Sequence, residues 1–302
     1  MDFRDLQYLL AIAKYQNITK AAESLYVGQP TLSKFLSGLE EELGVRLFDR
    51  LGRKYILTYA GNRYIEKAQQ ILSLKKDLDR EMADILQNET GVLNIAFSNM
   101  RCAYMLPATL PRFEALHPNV RVSVFEGTSA ENEIRLLNGQ VDVAFFSLAK
   151  RNPQISYTTL AQEELLICTS KGHPVSSRAA HSPGLKYPCL ELSDLQDQRV
   201  LLMQKNQRTR QILDGILKEK GISFDNTLVT SSIPAIIGLV SSGFGVSILF
   251  DSHLRYAADS SNIDRYSFGS PNTLCDFVAA TRKGRFLPAC VESYIELVRQ
   301  SL

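Results

Sequence analysis

A helix-turn-helix pattern near the N-terminus constrains this chain more than any other feature. Helical periodicity over residues 19–25 and 30–43 is interrupted by a turn at Gly28. Thr19 suits the N-cap of the first helix, and Pro30 suits the first turn of the second. These signals predict two short helices that pack against each other, with the second one presenting a face to a partner.

The second helix has two chemically different faces. Its apolar residues recur at helical spacing and predict a buried side: Leu32, Phe35, Leu36, Leu39 and Leu43. The opposite side carries small polar residues and one lysine. Such residues near a helix N-terminus can touch base edges in a major groove and reach phosphate, so the pattern favours DNA recognition. The alternative is a polar face that is merely solvated.

Residues 45–58 predict a β-hairpin after the second helix, with basic residues at its Gly52 turn. This hairpin resembles a wing that lies beside the DNA backbone, although an ordinary charged surface hairpin has the same pattern. The two helices and the wing together predict a DNA contact set: Thr19, Lys20, Gln29, Pro30, Thr31, Ser33, Lys34, Ser37, Arg50, Arg53 and Lys54.

The order of residues over about the first sixty positions resembles the N-terminal signature of the LysR-type transcriptional regulators. The matching residues are Ala21, Ala22, Leu25, Gln29, Pro30, Ser33, Leu39, Glu40, Leu43, Gly44, Leu47, Phe48, Arg50, Arg53, Leu57, Thr58, Ala60 and Gly61. Gly28, Phe35, Ser37 and Gly38 depart from the residues common in that family. Base preference therefore does not transfer with the resemblance.

Composition is that of a soluble cytoplasmic protein with two or three domains. The chain has 302 residues, 45% of them hydrophobic, and no apolar run long enough to cross a bilayer. No secretory segment follows Met1, so we expect no export. The net charge of +2 is too small to drive nucleic-acid binding by itself, and we expect the placement of the basic residues to matter.

Cysteines and histidines suggest neither catalysis nor metal binding. The five cysteines are scattered without a CxxC pair, which disfavours a disulfide framework and a zinc site. We expect reduced, mostly buried thiols. The four histidines lie beside Pro, Gly or Ser, a pattern typical of surface turns, and include His253. An enzyme would need a nucleophile with a base, a metal set or a phosphate loop, and none is visible in the sequence.

A long helix is predicted from Thr58 to about Gln87, ending at a break over residues 88–91. It carries a heptad pattern: Tyr64, Ala68, Ile71, Lys75, Leu78, Met82 and Ile85. A lone helix of this length needs a partner, and the same helix of a second copy is the simplest one. Lys75 either restrains the register of that pairing or lies outside it.

From residue 91 onward, short apolar runs alternate with helices in a βαβ order, which implies a mostly parallel sheet. Strands are predicted near 92–98, 120–126, 141–146, 164–170, 200–204, 226–230, 246–250 and 276–281, and helices near 106–116, 131–137, 209–220, 234–242 and 289–300. The last strand and the final helix are predicted to return to the first of the two lobes that follow residue 91. The fold class is therefore α/β, with domains at 1–58 (winged helix-turn-helix), 59–90 (linker and dimerisation helix) and 91–302 (two lobes). Lobe I comprises 91–161 and 268–302, lobe II comprises 162–267, and crossings are expected near 161–163 and 265–268.

By the family resemblance, the two lobes are similar to periplasmic binding proteins and hold a small effector in their cleft. Leu137, Gly139, Asp142, His173, Pro174, Gly243 and Gly245 match family landmarks, whereas Phe250 replaces a common proline. Strand ends predict the effector-binding set: Ser98, Asn99, Met100, Arg101, Thr128, Ser129, Gln204, Arg208, Thr209, Thr230 and Ser231. Each Ser or Thr could instead be a helix cap.

Arg208 is the strongest candidate for binding an effector carboxylate or phosphate, because a guanidinium suits a bidentate anion. A surface salt bridge is its alternative, and Arg101 competes for the role. The resemblance implies a dimer, or a dimer of dimers, on a partly palindromic promoter site, with RNA polymerase as a further partner. No cofactor or metal is expected beyond the effector. A transport binding protein would share the lobes but not the helix-turn-helix.

Overall fold

The computed structural model describes residues 2–52, 54–85, 91–181, 183–255, 257–268 and 273–302. The chain forms two compact units, Met1–Asn88 with Asn138–Gln140, and Glu89–Leu137 with Val141–Leu302. Arg53 at the predicted wing tip lies outside the described residues, and so does most of the predicted break after the long helix. No helix within the described ranges is long and apolar enough to span a membrane.

The first unit contains a helix-turn-helix and a hairpin. Its elements are α1 (Phe3–Tyr15), α2 (Ile18–Ser24), α3 (Gln29–Leu43), β1 (Phe48–Leu51), β2 (Lys54–Leu57) and α4 (Tyr59–Ile85). β1 and β2 pair antiparallel, as expected for a wing. The predicted N-cap of α2 was wrong: the side chain of Asn17, not Thr19, accepts a hydrogen bond from the backbone N–H of Lys20 at 3.1 Å.

The buried face of α3 lies where the apolar spacing predicted it. Leu32, Leu36 and Leu39 are buried together with residues of α1 and α2. Leu43 is the exception, since 41% of it is exposed at the last turn of the helix. In the predicted turn before α3, Tyr26 adopts a positive φ of 54°, whereas Gly28 has an extended backbone and is the N-cap of α3.

A set of hydrogen bonds fixes the end of α3 against the wing and α4. The Glu40 carboxylate accepts the backbone N–H groups of Leu47 at 2.7 Å and Phe48 at 3.0 Å. The Thr58 hydroxyl donates to the Arg46 carbonyl at 2.8 Å and accepts the N–H of Gly61 at 2.9 Å. A Cβ at Gly61 would lie only 1.9 Å from the Leu47 carbonyl oxygen, so this junction requires glycine.

The long helix α4 has two parts. Ile65 and Ala68 are buried and Tyr64 is half-buried. Farther along, an apolar stripe is exposed at steps of three and four: Ile71, Leu74, Leu78 and Met82. Lys75 lies beside this stripe and pairs with Asp79 one turn later. The predicted seam therefore gains Leu74, while its first members belong to the packed part of the helix.

The second unit is built on one sheet with helices around it. Its elements are β3 (Gly91–Phe97), α5 (Asn99–Leu116), β4 (Val120–Glu126), α6 (Ser129–Leu137), β5 (Val143–Ser147), β6 (Ile155–Ser170), β7 (Val200–Met203), α7 (Arg208–Lys220), β8 (Thr227–Thr230), α8 (Ile233–Ser241), β9 (Val246–Phe250), α9 (Asp251–Arg255), β10 (Ile263–Tyr266), β11 (Leu274–Arg282) and α10 (Ala289–Gln300). Its strand order is β4-β3-β5-β11-β6-β9-β7-β8, and β10 pairs with β6.

The strand β6 runs through both lobes. Residues 155–164 pair antiparallel with β11 in lobe I, and residues 165–170 pair with β9 and β10 in lobe II. Only its second half was predicted as a strand. The first predicted crossing lies inside β6, and the chain returns between β10 and β11, a connection that includes residues outside the described ranges.

A buried ion pair, hereafter the buried pair, joins Arg101 of α5 to Glu163 of β6. The Arg101 guanidinium also donates to the Ser147 hydroxyl at 3.0 Å and lies 3.8 Å from the Phe277 ring centroid. Arg101 is 2% and Glu163 7% exposed. Burial raises the pKa of Glu163, but the charge and hydrogen bond of Arg101 outweigh it, so the pKa is lowered overall.

Substituting Gly61→Ala should destabilise the protein by about 1–3 kcal/mol, because the new methyl group collides with the backbone of Leu47. Gly38→Ala is the matched control, since a Cβ there meets nothing within 4 Å and α3 should gain about 0.5–1 kcal/mol. Urea unfolding followed by circular dichroism measures both. Equal changes in the two variants would contradict the proposed contact.

Substituting Glu163→Gln should cost about 3–5 kcal/mol at pH 7, because it leaves the Arg101 charge buried without its counter-charge. Since the pKa of Glu163 is lowered in the folded protein, its stabilisation exists above the ordinary glutamate pKa and disappears as pH falls through the lowered value. The loss should therefore shrink in acid. Unfolding measured between pH 7 and pH 3, with exposed Glu219→Gln as control, tests this; a loss independent of pH would contradict it.

Candidate nucleic-acid interface and ligand cleft

The described members of the predicted DNA contact set lie on the surface of the first unit. Nine of these residues are exposed: Thr19, Lys20, Gln29, Pro30, Thr31, Lys34, Ser37, Arg50 and Lys54. Ser33 is half-buried, and Arg53 is outside the described residues. Because Leu32 and Leu36 turn into the core, the polar residues of α3 form its outer face.

The wing places its basic residues on the hairpin. The Arg50 guanidinium lies 5.0 Å from the centroid of the Tyr55 ring, which holds the side chain against the hairpin surface. Lys54 is exposed opposite Leu51 at the closed end of the strand pair. Both cations are exposed on the hairpin and can meet an anion.

Tyr26 is a candidate contact residue that the sequence reasoning missed. It lies in the turn between α2 and α3, and 97% of it is exposed. Its positive φ, rare for a tyrosine, directs a large side chain with a hydroxyl group into solvent just before α3. An aromatic residue inside a predicted helix-turn-helix turn is the signal that could have identified it.

In the second unit, a cavity of about 420 Å³, hereafter the cleft, lies at the carboxyl ends of two sets of parallel strands. The structure brings nine of the predicted effector-binding residues to its wall: Ser98, Asn99, Met100, Arg101, Thr128, Ser129, Arg208, Thr209 and Ser231. Gln204 and Thr230 lie outside that wall. The Gln204 N–H bonds the Thr230 carbonyl, and the Thr230 hydroxyl accepts the N–H of Ser232, so both serve the turns after β7 and β8.

Helix N-termini from both lobes face the cleft, but they differ in capping. The Thr128 hydroxyl accepts the N–H of Glu131 at 3.3 Å, and Ser232 accepts that of Ala235 at 3.2 Å, so the cap alternative holds at α6 and α8. The N-cap residues of α5 and α7, Ser98 and Gln207, make no side-chain cap hydrogen bond. Those two ends keep N–H groups and a positive dipole end for an acceptor.

Arg101 does not offer the free guanidinium that the sequence suggested. The buried pair, the Ser147 hydroxyl and the Tyr104 hydroxyl at 3.0 Å engage its side chain. Its donors are therefore taken up by residues of the second unit, and its role as an anion anchor stays a prediction.

Arg208 forms a salt bridge, although not a surface one. Its Nη2 donates to Glu133 Oε1 of α6 at 2.7 Å, and only 14% of the side chain is exposed. Nη1 donates to Gln211 at 3.3 Å, whereas Nε is buried without an acceptor. We term the contact with Glu133 the cross-cleft pair, because it links a helix of lobe I to a helix of lobe II.

His253 is a buried residue of the cleft wall and not the surface-turn histidine predicted from its neighbours. It is 6% exposed, packs edge-to-face on Phe250 at 5.7 Å, and its Nδ1 has no hydrogen-bond partner. Burial and the charge of Arg101 lower the pKa of His253 to about 4, so the ring is neutral at pH 7.

The wall residues that sequence reasoning missed include Ser147, Gln207, Phe250 and His253. Three of them end or follow buried strands, the same rule that located Ser98 after β3. Applying that rule to β5 and β9 would have found Ser147 and His253, and Gln207 lies between β7 and α7.

The thiols show no sign of activation. Burial raises the pKa of Cys102, Cys168 and Cys275 to about 12, which keeps them protonated and poorly nucleophilic. None of the five cysteines, all of which lie in the described ranges, forms a disulfide. Over the described ranges, no group of three or more His, Cys, Asp or Glu residues is arranged to hold a metal ion.

Comparison with protein families matches both units. Residues 3–62 match the bacterial regulatory helix-turn-helix protein, lysR family, and residues 86–302 match the LysR substrate binding domain. Together these matches span nearly the whole chain and agree with the winged first unit and the two-lobed second unit.

Individual relatives match over comparable lengths. The DNA-binding transcriptional dual regulator OxyR of Escherichia coli is 30% identical over 251 residues, 82% of this chain and 79% of that protein. The uncharacterized HTH-type transcriptional regulator YybE of Bacillus subtilis is 27% identical over 99% of this chain and 98% of its own length. The solved structure of full-length CbnR complexed with its target DNA has 26% identity and a TM-score of 0.64, covering all of both chains.

The family matches over both units agree with the structure. The first unit has a helix with one buried and one polar face and a basic hairpin, and the second unit has a two-lobed cleft. The chain is a member of the LysR family of DNA-binding transcriptional regulators.

Proposed function

We propose that this regulator binds a promoter operator with two half-sites as a dimer or a dimer of dimers. We also propose that a small acidic effector in the cleft changes how it binds DNA. The observation that carries DNA binding is the outer face of α3, where Gln29, Thr31, Lys34 and Ser37 are exposed and Ser33 is half-buried, while Leu32 and Leu36 are buried. CbnR, solved with its target DNA, supports the same use of the fold.

Hydrogen-bonding side chains are expected to supply specificity, and the basic residues affinity. A good base contact is worth about 1–3 kcal/mol, whereas a phosphate contact gives sequence-independent, salt-sensitive binding. Ser33 and Thr31 suit the first role, while Lys34, Arg50 and Lys54 suit the second. Because the net charge of the chain is only +2, we expect the position of the basic residues, and not the overall charge, to determine attraction to DNA.

The exposed stripe of α4 supports self-association. Ile71, Leu74, Leu78 and Met82 follow each other at steps of three and four, and each is at least 40% exposed in the single chain. A second copy of α4 would cover this stripe and relate two α3 helices by a two-fold axis, which suits an operator of two half-sites.

The cleft is proposed to hold the effector. The cleft is of moderate volume, and its wall combines hydroxyl groups, two uncapped helix ends and apolar side chains. Such a cleft suits a small molecule with a polar head and an apolar body. An effector alters DNA binding only if its affinity differs between two arrangements of the protein. We propose that the lobes provide those arrangements and that the change is passed on to RNA polymerase at the promoter.

We further propose that the protein is not an enzyme and needs no cofactor besides this effector. The known relatives are transcriptional regulators. A neutral buried His253 and thiols whose pKa is raised to about 12 support binding rather than catalysis. We propose a cytoplasmic location, because the proposed action is on promoter DNA.

Ser33→Ala and Lys34→Ala should weaken DNA binding in different ways. Loss of a base contact at Ser33 should cost about 1–3 kcal/mol on the operator and little on random DNA. Loss of the Lys34 phosphate contact should weaken both, and the slope of log affinity against log salt should fall by about one. Fluorescence anisotropy with DNA from upstream of the protein's own gene and of neighbouring genes, at several salt concentrations, measures both effects.

Lys218→Ala in α7 is the matched control, because it removes an exposed lysine from the other unit. It should change neither affinity nor salt slope. Weak, equally salt-sensitive binding of all DNA sequences by the wild type and all three variants would contradict DNA reading by α3.

A further inference from the structure

The guanidinium of Arg208 is only partly satisfied in the cleft wall. Glu133 takes one hydrogen bond from Nη2, and the bond from Nη1 to Gln211 is long at 3.3 Å. Nε is buried and has no acceptor. Nε and Nη2 form one edge of the guanidinium, and a carboxylate that can orient freely binds such an edge through both of its oxygens. Glu133 therefore uses half of a two-donor edge.

The environment of Glu133 disfavours the charged form of its carboxylate. Its side chain is 21% exposed, and its carboxylate accepts a hydrogen bond from Arg208. Burial raises the pKa of Glu133, although the charge and hydrogen bond of Arg208 oppose that rise. Moving this carboxylate into water would remove its desolvation cost, so the cross-cleft pair gains little from the Glu133 side.

The remaining charge of the cleft is balanced. Of the described residues that line it, the ionic ones are Arg101 and Arg208, and each already faces a carboxylate. The buried pair is enclosed by Ser147 and the Phe277 ring, so its guanidinium cannot be released. An incoming anion can therefore gain a cationic partner in the cleft only by taking Arg208 from Glu133.

Resting on the proposed function, we propose that Glu133 is an internal counter-ion that occupies Arg208 in the empty cleft, and that the effector carries a carboxylate that displaces it. The ligand carboxylate binds the Nε and Nη2 edge, so the orphaned Nε donor gains an acceptor. Glu133 moves into solvent with its charge rehydrated. The effector class is a small monocarboxylate with an apolar body, which packs on Met100, Ile233 and Phe250.

Displacement also connects binding to the arrangement of the lobes. The cross-cleft pair joins α6 of lobe I to α7 of lobe II, so its loss removes one direct link between them. The ligand replaces that link with its own contacts to the wall. An effector bound in this way necessarily distinguishes two states of the cleft, with Glu133 on Arg208 or away from it, as an allosteric ligand must.

The test uses acetate as the carboxylate probe and acetamide as its uncharged match, with the full chain at constant ionic strength. Thermal unfolding should show a saturable stabilisation by acetate in Glu133→Gln, with half-saturation at about one tenth of the wild-type concentration or lower. Arg208→Gln and the double variant should show none, and acetamide should stabilise none of them. Glu114→Gln, which removes an exposed charge elsewhere, should respond to acetate as the wild type does.

Three results would overturn the proposal: equal half-saturation in the wild type and Glu133→Gln, an undiminished acetate response without Arg208, and no acetate response in Glu133→Gln. Glu133→Asp guards against a misfolded variant, because it keeps the charge but shortens the side chain by one methylene. It should lie between the wild type and Glu133→Gln. Circular dichroism of each variant verifies folding before the titrations.

Failure here is separable from failure of the proposed function. If operator binding depends on Ser33 while the half-saturating acetate concentration is the same with and without Glu133, the proposed DNA-binding function is supported and the proposed counter-ion role of Glu133 is wrong. If acetate competes with Glu133 as expected while no DNA sequence is preferred, the cleft chemistry stands and the regulator proposal fails.

Discussion

The buried pair between Arg101 and Glu163 is the contact on which the geometry of the second unit depends. Arg101 lies in the first turn of α5, Glu163 in the middle of β6, and Ser147 at the end of β5. One guanidinium therefore joins a helix start, a strand end and the strand that passes through both lobes. Buried charges cost several kcal/mol to desolvate, so they persist only when their geometry and hydrogen bonds are complete, as they are here.

The cross-cleft pair has the opposite character. It has the same two chemical groups, but Arg208 keeps a buried donor without an acceptor and Glu133 retains partial access to water. The two pairs thus separate two tasks within one cleft. The first holds the wall in place, and the second can be exchanged for a ligand at small cost. Neutral His253 lies near the first pair and adds a hydrogen-bonding nitrogen without adding charge.

In the first unit, the contacts that hold α3 in place are likewise separate from the residues that we propose for binding. Contacts at the C-terminal end of α3, from Glu40 to the start of β1, fix its direction. Thr58 and Gly61 bring α4 against the same strand start. On the outer face of the N-terminal half of α3, Gln29, Thr31 and Lys34 are exposed. Its polar residues can therefore be used for binding rather than for folding.

Much of the fold could be predicted from the sequence where pattern and caps agree. The bounds of β4 and α10 match the prediction residue for residue, because each is a clear apolar run or amphipathic stretch between turn signals. The start of α5 was predicted seven residues too late, at Leu106, just before the first of the two prolines Pro107 and Pro111. Both prolines lie inside the helix on its exposed side, where their missing N–H bonds face solvent.

The rest could not be predicted because it depends on distant partners. The first half of β6 contains Ser, Thr, Gln and Glu, and it becomes a strand because β11 pairs with it from more than a hundred residues away. In the sequence, Arg101 and Arg208 both follow a strand end, and only their rank as candidates differed. Only Glu163 and Glu133, each contributed by another element, make one of them structural and the other exchangeable.

Double-mutant cycles on the two pairs test this distinction most directly. Unfolding free energies would be measured for the wild type, the single variants Arg101→Met, Glu163→Gln, Arg208→Met and Glu133→Gln, and the two corresponding double variants. We expect a coupling energy of about 3 kcal/mol or more for Arg101 with Glu163, and of about 1 kcal/mol or less for Arg208 with Glu133. Equal couplings, or a stronger one across the cleft, would contradict the division into a fixed and an exchangeable pair.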